Sequence, residues 1–185
     1  MDQPPLLVRT VRADDLASVT AIYAHHVLTG AASFELAPPT LEEMQRRHGA
    51  IVADGYPYLV AERAGRVCGY AYASVYRTRP AYRFVVENSV YVDAGSVRSG
   101  IGKRLLDALV DACAARGFRQ MIAVIGDSAN EGSIGLHAAC GFERIGTLPA
   151  VGWKFGRWVD SVLMQRALGA GGLTPPVGRS PGNTG

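Results

Sequence analysis

Val86-Glu87-Asn88-Ser89-Val90-Tyr91-Val92-Asp93-Ala94-Gly95-Ser96-Val97-Arg98-Ser99-Gly100-Ile101-Gly102-Lys103-Arg104-Leu105-Leu106 is the stretch around which the chain is organised. It reads as strand, glycine-rich turn and helix. Arg83 to Val92 is rich in β-branched and aromatic residues, which suit a half-buried strand. Asp93, Ala94 and Gly95 end it. From Ile101 the apolar positions Leu105, Leu106, Leu109, Val110 and Cys113 recur at helical spacing. Gly117 stands where a left-handed residue would close that helix.

The turn between strand and helix suits an anion. The first turn of a helix leaves N–H groups without internal partners, and the dipole adds positive charge there. Gly100 and Gly102 carry no β-carbon, so ligand atoms can approach the backbone. Arg98, Lys103 and Arg104 add full charges. Together these groups suit a phosphate or pyrophosphate. The plain alternative is an ordinary flexible connection, and two glycines alone do not decide between them. A Walker loop does not fit, because Val97 stands where its first Gly belongs and Arg104 follows the Lys. A dinucleotide fingerprint fails at Leu105, its third Gly position.

The 185 residues are enough for one domain with a core. A hydrophobic fraction of 48% and a charged fraction of 19% are those of a soluble globular protein. A net charge of +3, with scattered basic residues, suits small anions and makes no case for nucleic acid. Cys68, Cys113 and Cys140 lie far apart in apolar segments, which favours reduced, buried thiols over a disulfide framework or zinc site. There is no long apolar span and no signal-like start, so no membrane is expected and the cytoplasm is the default.

Residues 1–6 read as a flexible N-terminus, 7–168 as one domain, and 169–185, rich in Gly and Pro, as a disordered tail. A first strand is expected over Leu7–Val11. Asp14 or Asp15 can cap a helix with Leu16, Val19, Ile22, Tyr23 and Val27 on one face. His25 and His26, as helix neighbours, point apart, which argues against a metal pair. Thr40-Leu41-Glu42-Glu43 has capping-box spacing and starts a second helix, through about Ala53. Tyr56–Ala61 and Val67–Val75 read as strands. After the central helix come a buried strand at Gln120–Ile125 and a short helix at Ser133–Cys140. A strand starts at Phe142–Gly146, the segment 151–158 looks too interrupted for regular structure, and a last strand runs from Val159 to about Gln165.

Two sets of polar residues stand out. Glu87 lies in a strand otherwise made of Phe84, Val85, Val86, Val90 and Val92. It is either turned to solvent, paired with an arginine, or buried with a raised pKa that fits it to accept a proton. Ser133 and His137, four apart, share one helix face. His137 is either packed with its nitrogens bonded locally or available for proton transfer near neutral pH.

Val97-Arg98-Ser99-Gly100-Ile101-Gly102 resembles motif A, Gln/Arg-x-x-Gly-x-Gly/Ala, of the GNAT superfamily of acetyl-CoA-dependent N-acetyltransferases. It departs at Val97, where the motif has Gln or Arg. Asn130, Ser133 and His137, followed by Gly141-Phe142, resemble the family's second signature. The element order also matches. Val86 to Val92 is similar to the stretch bearing the proposed catalytic Glu in the phosphinothricin acetyltransferase-like branch. Ser33-Phe34-Glu35, Pro57 to Glu62, Arg79-Pro80-Ala81-Tyr82, Ala123 to Gly126 and Gly152 to Asp160 match that branch too. The resemblance spans about residues 7–166.

The resemblance implies a single α/β (α+β) GNAT-type domain, with a mixed, mostly antiparallel sheet splayed at its centre and helices on both faces. It implies acetyl-CoA as co-substrate and no metal. Coenzyme contacts would fall on Ser89, Val90, Tyr91, Val92, Arg98, Ser99, Gly100, Ile101, Gly102, Lys103, Asn130 and Ser133. Glu87 would be the base, through water, and His137 would assist the departing thiolate. A backbone N–H near Val90 would polarise the acetyl carbonyl. The acceptor would be a small amino acid of the phosphinothricin, methionine sulfoximine or methionine sulfone type. Phe34, Arg77, Arg79, Tyr82 and Lys154 are the residues expected around it. A homodimer is expected, with Trp153 and Trp158 in packing or in its contact. The competing readings are a protein N-terminal acetyltransferase and a non-catalytic acyl-CoA-binding module.

Overall fold

A computed structural model describes residues 4–176. Seven strands form one sheet: β1 (Leu6–Thr10), β2 (Tyr58–Arg63), β3 (Arg66–Val75), β4 (Val85–Val92), β5 (Gln120–Gly126), β6 (Glu143–Lys154) and β7 (Arg157–Ala167). Their spatial order is β1-β2-β3-β4-β5-β7-β6. The helices are α1 (Leu16–Thr29), α2 (Leu41–Ala53), α3 (Ile101–Ala115) and α4 (Glu131–Ala139). Every neighbouring strand pair is antiparallel except β4 and β5. Those two pair only from Val85↔Gln120 to Asn88↔Ala123. Both strands then continue without each other, so the sheet splits at its centre, as expected.

Alternation along the strands sorts the two faces. Ala61, Ala71, Ala73 and Val86 join Leu105, Leu106, Leu109 and Cys113 of α3 in one core. Small side chains on the sheet let α3 come close. A β-carbon on Gly69 would lie 3.1 Å from Leu105 Cδ1 and 2.9 Å from the Tyr91 carbonyl oxygen. Each fully buried leucine of α3 contributes roughly 1.5–3 kcal/mol. Tyr58, Val60 and Tyr70 face the other way and pack with Val19, Ile22, Tyr23 and Val27 of α1 and Met44 of α2.

Two local expectations change and one holds. Asp15 does not cap α1; its carboxylate binds Arg9 at 2.6 Å and accepts from the Arg12 amide at 2.7 Å. Thr40 does cap α2, accepting from the Glu43 amide at 3.2 Å. Segment 151–158 is regular after all. β6 and β7 form a hairpin with register breaks at Arg144/Gly146 and Leu148/Gly152. Its two-residue turn is Phe155-Gly156, both with positive φ (52° and 71°), the geometry that matches strand twist. The bulges hid this strand, because they break the alternation by which strands are read.

The tail expected to be free from Gly169 is held as far as Thr174. Arg119 donates from Nε to the Gly171 carbonyl and from Nη2 to the Thr174 carbonyl, both at 2.8 Å. Residues 177–185, and residues 1–3 of the expected flexible start, lie outside the described residues.

Candidate active site

Where β4 and β5 part, a cavity of about 270 Å³ opens. β4 supplies Glu87 to Tyr91, β5 supplies Ala123 to Gly126, and α4 with its approach supplies Asn130, Ser133 and His137. Ala32, Ser33 and Phe34 close it from the loop after α1, and Ser161 from β7. Beyond Asn88, among the described residues, β5 offers no ladder partner to Ser89–Val92. Amides on that edge are therefore open to a ligand.

Glu87 is half-buried, and loss of solvent pushes its carboxyl above the ordinary range. Its strand neighbour is Ser74. Two residues on, Ser89 stands opposite Tyr72 of β3. His137, 4% exposed, is held at both nitrogens. Nδ1 lies 2.8 Å from the Ser133 carbonyl oxygen and Nε2 lies 3.0 Å from Asn88 Oδ1. Burial pulls its pKa below the ordinary imidazole value, and the Ser133 carbonyl opposes that pull. So His137 has both nitrogens bonded locally, the first of the two sequence alternatives, and it also lines the cavity. Asn130 Oδ1 caps α4 by accepting from the Ser133 amide at 3.1 Å.

At the far end of β4, the turn Ala94–Gly100 leads into α3. Arg98 and Gly100 both adopt left-handed backbone, φ 60° and 76°. Left-handed backbone of this kind can turn neighbouring amides toward an anion. Among the described residues no side chain caps α3, so its first amides keep their hydrogen-bonding capacity. A β-carbon on Gly100 would meet nothing within 4 Å, so the space above it is open. These features fit a pyrophosphate. Lys103 spends part of its charge on Asp107, 2.7 Å away.

Two expectations are corrected. Gly102 does not open the backbone to a ligand: a β-carbon there would lie 3.1 Å from Leu136 Cδ2. It is small because α3 packs on α4. Lys154 does not stand free for an acceptor. It is 4% exposed, and Nζ donates to the Gly30 carbonyl at 2.8 Å and the Ser33 carbonyl at 2.7 Å. It fixes the loop that carries Phe34. Phe34 lines the cavity, and its ring packs on Gly152, where a β-carbon would lie 2.5 Å from it.

Arg77, Arg79 and Tyr82 are not among the residues lining the cavity. They lie on the β3–β4 connection, where the Arg77 guanidinium sits over Tyr76 and Tyr82 at 5.3 and 5.9 Å from the ring centroids. Asn88 and Ser161 were missed by the sequence reading. Asn88 carried the same signal as Glu87, a polar side chain inside an apolar strand. Ser161 carried none.

A seven-stranded sheet parted at its one parallel pair, with an uncapped helix start beyond the gap, gives a frame that suits an acyl coenzyme. The chain matches the acetyltransferase (GNAT) domain family over residues 8–163 and belongs to it. It is an acetyl-CoA-dependent N-acetyltransferase. It is 56% identical to the phosphinothricin N-acetyltransferase of Alcaligenes faecalis over 91% of this chain and 86% of that protein. It is 41% identical to the L-methionine sulfoximine/L-methionine sulfone acetyltransferase of Pseudomonas paraeruginosa, over 87% of this chain and 94% of that one. A phosphinothricin acetyltransferase from Sinorhizobium meliloti, solved in complex with AcCoA, superposes with a TM-score of 0.90 at 50% identity, covering 93% of each chain.

Proposed function

We propose that the chain transfers the acetyl group of acetyl-CoA to the amino group of a small amino acid with a second polar or acidic head, of the phosphinothricin, methionine sulfoximine or methionine sulfone type. The observation that carries this reading is Glu87: a half-buried carboxyl with a raised pKa, on the wall of the cleft where β4 and β5 separate. An amine arrives as ammonium and must lose a proton before it attacks. Glu87, through water, takes that proton. The amine then attacks the acetyl carbonyl directly in a ternary complex, with no acetyl-enzyme. All three cysteines are buried, and the Cys140 thiol is pushed up to about 11 by burial, a poor state for a nucleophile.

The unpaired edge of Ser89–Val92 receives the pantetheine arm, and an amide near Val90 polarises the carbonyl oxygen. Residues Arg98, Ser99, Gly100 and Ile101, with Lys103, hold the pyrophosphate. Asn130 and Ser133 border the arm from α4, and His137 assists the thiolate as it leaves. Phe34 forms the acceptor's apolar wall. Arg77, Arg79 and Tyr82 supply its anion contacts from the β3–β4 connection. The protein works as a homodimer in the cytoplasm, where a coenzyme A thioester and reduced cysteines coexist.

The test is a screen for free CoA release with phosphinothricin, methionine sulfoximine, methionine sulfone and short peptides as acceptors. Release with the small amino acids and not with peptides is expected. Release with peptides alone would replace the reading by a protein N-terminal acetyltransferase, and none with any acceptor would leave a binding module.

A further inference from the structure

Asn88 sits at the apex of the split, 6% exposed. Its Nδ2 donates to the Ile122 carbonyl at 3.0 Å, and its Oδ1 lies 3.0 Å from His137 Nε2. The direction of this amide follows from its partners. A carbonyl oxygen only accepts, so the NH2 group faces Ile122 and the oxygen faces the imidazole. An oxygen at that place demands a proton on Nε2. At the other nitrogen, Nδ1 meets the Ser133 carbonyl at 2.8 Å, again an acceptor. The Ser133 hydroxyl, at 3.5 Å, is too far to take its place. A neutral imidazole has one N–H. The ring therefore faces one acceptor more than its neutral form can satisfy, and the network is complete only when the ring holds both protons.

We propose that Asn88 is the positioning residue for His137: aimed by the Ile122 carbonyl, its oxygen keeps a proton on Nε2 and makes the ring a proton donor, which leaves the base's task to Glu87. The consequence for catalysis rests on the acetyl-transfer reading above. In the step served, the Nε2–H bond breaks as an S–H bond forms on the departing thiolate. The N–H electron pair stays on Nε2, the remaining proton stays on Nδ1 against the Ser133 carbonyl, and solvent reloads Nε2 before the next turnover. Burial opposes a charged ring more than the Ser133 carbonyl favours it, and the Asn88 oxygen works against burial. Charged groups on the elements packed against α4 are Lys103, Arg104, Asp107 and Asp111 of α3, and Glu143, Arg144 and Lys154 of β6; β5 has none. Glu87 of β4 lines the same cavity. The ring itself is pulled down by burial and, less strongly, up by the Ser133 carbonyl.

The experiment follows the His137 ring nitrogens by long-range proton–nitrogen correlation across pH, in the full-length chain and in Asn88→Leu and Asn88→Asp, with the signal assigned by His137→Gln. The natural chain should show a protonated Nε2 at neutral pH. In Asn88→Leu Nε2 should be bare, with the ring's midpoint lower by on the order of one pH unit. In Asn88→Asp the midpoint should rise, since a carboxylate favours imidazolium more than an amide does. Opposite shifts from one position cannot come from loss of folding. The alkaline limb of kcat should move with the midpoint, down in Asn88→Leu and up in Asn88→Asp. A bare Nε2 in the natural chain, or identical ring signals in all three proteins, overturns the proposal. Transfer lost while the ring is unchanged also overturns it and leaves the acetyl-transfer reading standing. The ring measurement decides even where no acetyl transfer is found.

Discussion

At Glu87 one physical fact, partial loss of water, has two consequences of opposite value. It raises the carboxyl's pKa toward the range of a useful base, and it makes the folded state less favourable once the carboxyl ionises. Glu87→Gln removes both. Turnover should fall by about 10²–10⁴-fold, the usual worth of a positioned base, while calorimetry still detects acetyl-CoA binding. Near-normal turnover would take Glu87 out of the role. The stability effect has a definite sign. Because the folded pKa is the higher one, the native state holds a proton that the unfolded chain has lost, between the ordinary carboxyl value and the raised one. Stability from this site is full below that window and declines as pH rises through it. Glu87→Gln should therefore melt higher than the natural chain at neutral pH, and the difference should vanish in acid. Lys154 shows the reverse case, a charged residue that is structural. Its ammonium satisfies two loop carbonyls, and burial pulls its pKa down. Lys154→Met orphans both oxygens, at about 1–3 kcal/mol for each that stays buried. Denaturant unfolding should read that loss. Unchanged stability together with a raised acceptor KM would return Lys154 to the binding role.

The elements hold the cleft by close contacts that tolerate no extra atom. Gly126 ends β5 under the loop after α1, and a β-carbon there would lie 2.0 Å from the Ala31 carbonyl oxygen. Backbone must move to admit it. Gly126→Ala should lower Tm by several degrees and raise the acceptor KM more than that of acetyl-CoA, because the displaced loop carries Phe34. Equal KM changes for both substrates would show that this loop is not the acceptor's wall. What could be read from residues follows the same division. The strand of β4, the α3 periodicity and the Gly100 turn were legible because periodicity and turn chemistry are local. Glu87 is legible as a candidate because a polar group in an apolar strand needs a reason, and Asn130, Ser133 and His137 are legible through their resemblance to a family signature. The place of Lys154 was not, since its partners Gly30 and Ser33 are more than 120 residues away in the chain. Gly102 was misread because a glycine at a helix start looks the same whether a ligand or Leu136 stands over it. The β6–β7 hairpin was hidden by its bulges.

Across the whole molecule, the two cores lie on opposite faces of the sheet, and the hairpin at its edge is the part left uncovered. Ile145, Val151, Trp153, Phe155 and Trp158 are each more than half exposed there. Trp153 and Trp158 are paired across the strands, with ring centroids 5.2 Å apart. Scattered exposed apolar residues are ordinary, but two tryptophans and their neighbours on one hairpin form a patch. A two-fold contact of this edge with its own copy would hide it without affecting the cleft's chemistry. A tryptophan in the middle of such a contact costs 2 kcal/mol or more when lost, roughly a thirtyfold weakening. Trp158→Glu adds a charge that must lose its water in the contact, so its effect should exceed that. Sedimentation at micromolar concentration should find the natural chain as a dimer and Trp158→Glu as a monomer. The thermal midpoint of the natural chain should rise with concentration, and that of the variant should not. If both sediment as monomers, the hairpin is not a self-contact. If both sediment as dimers, the contact lies elsewhere on the molecule.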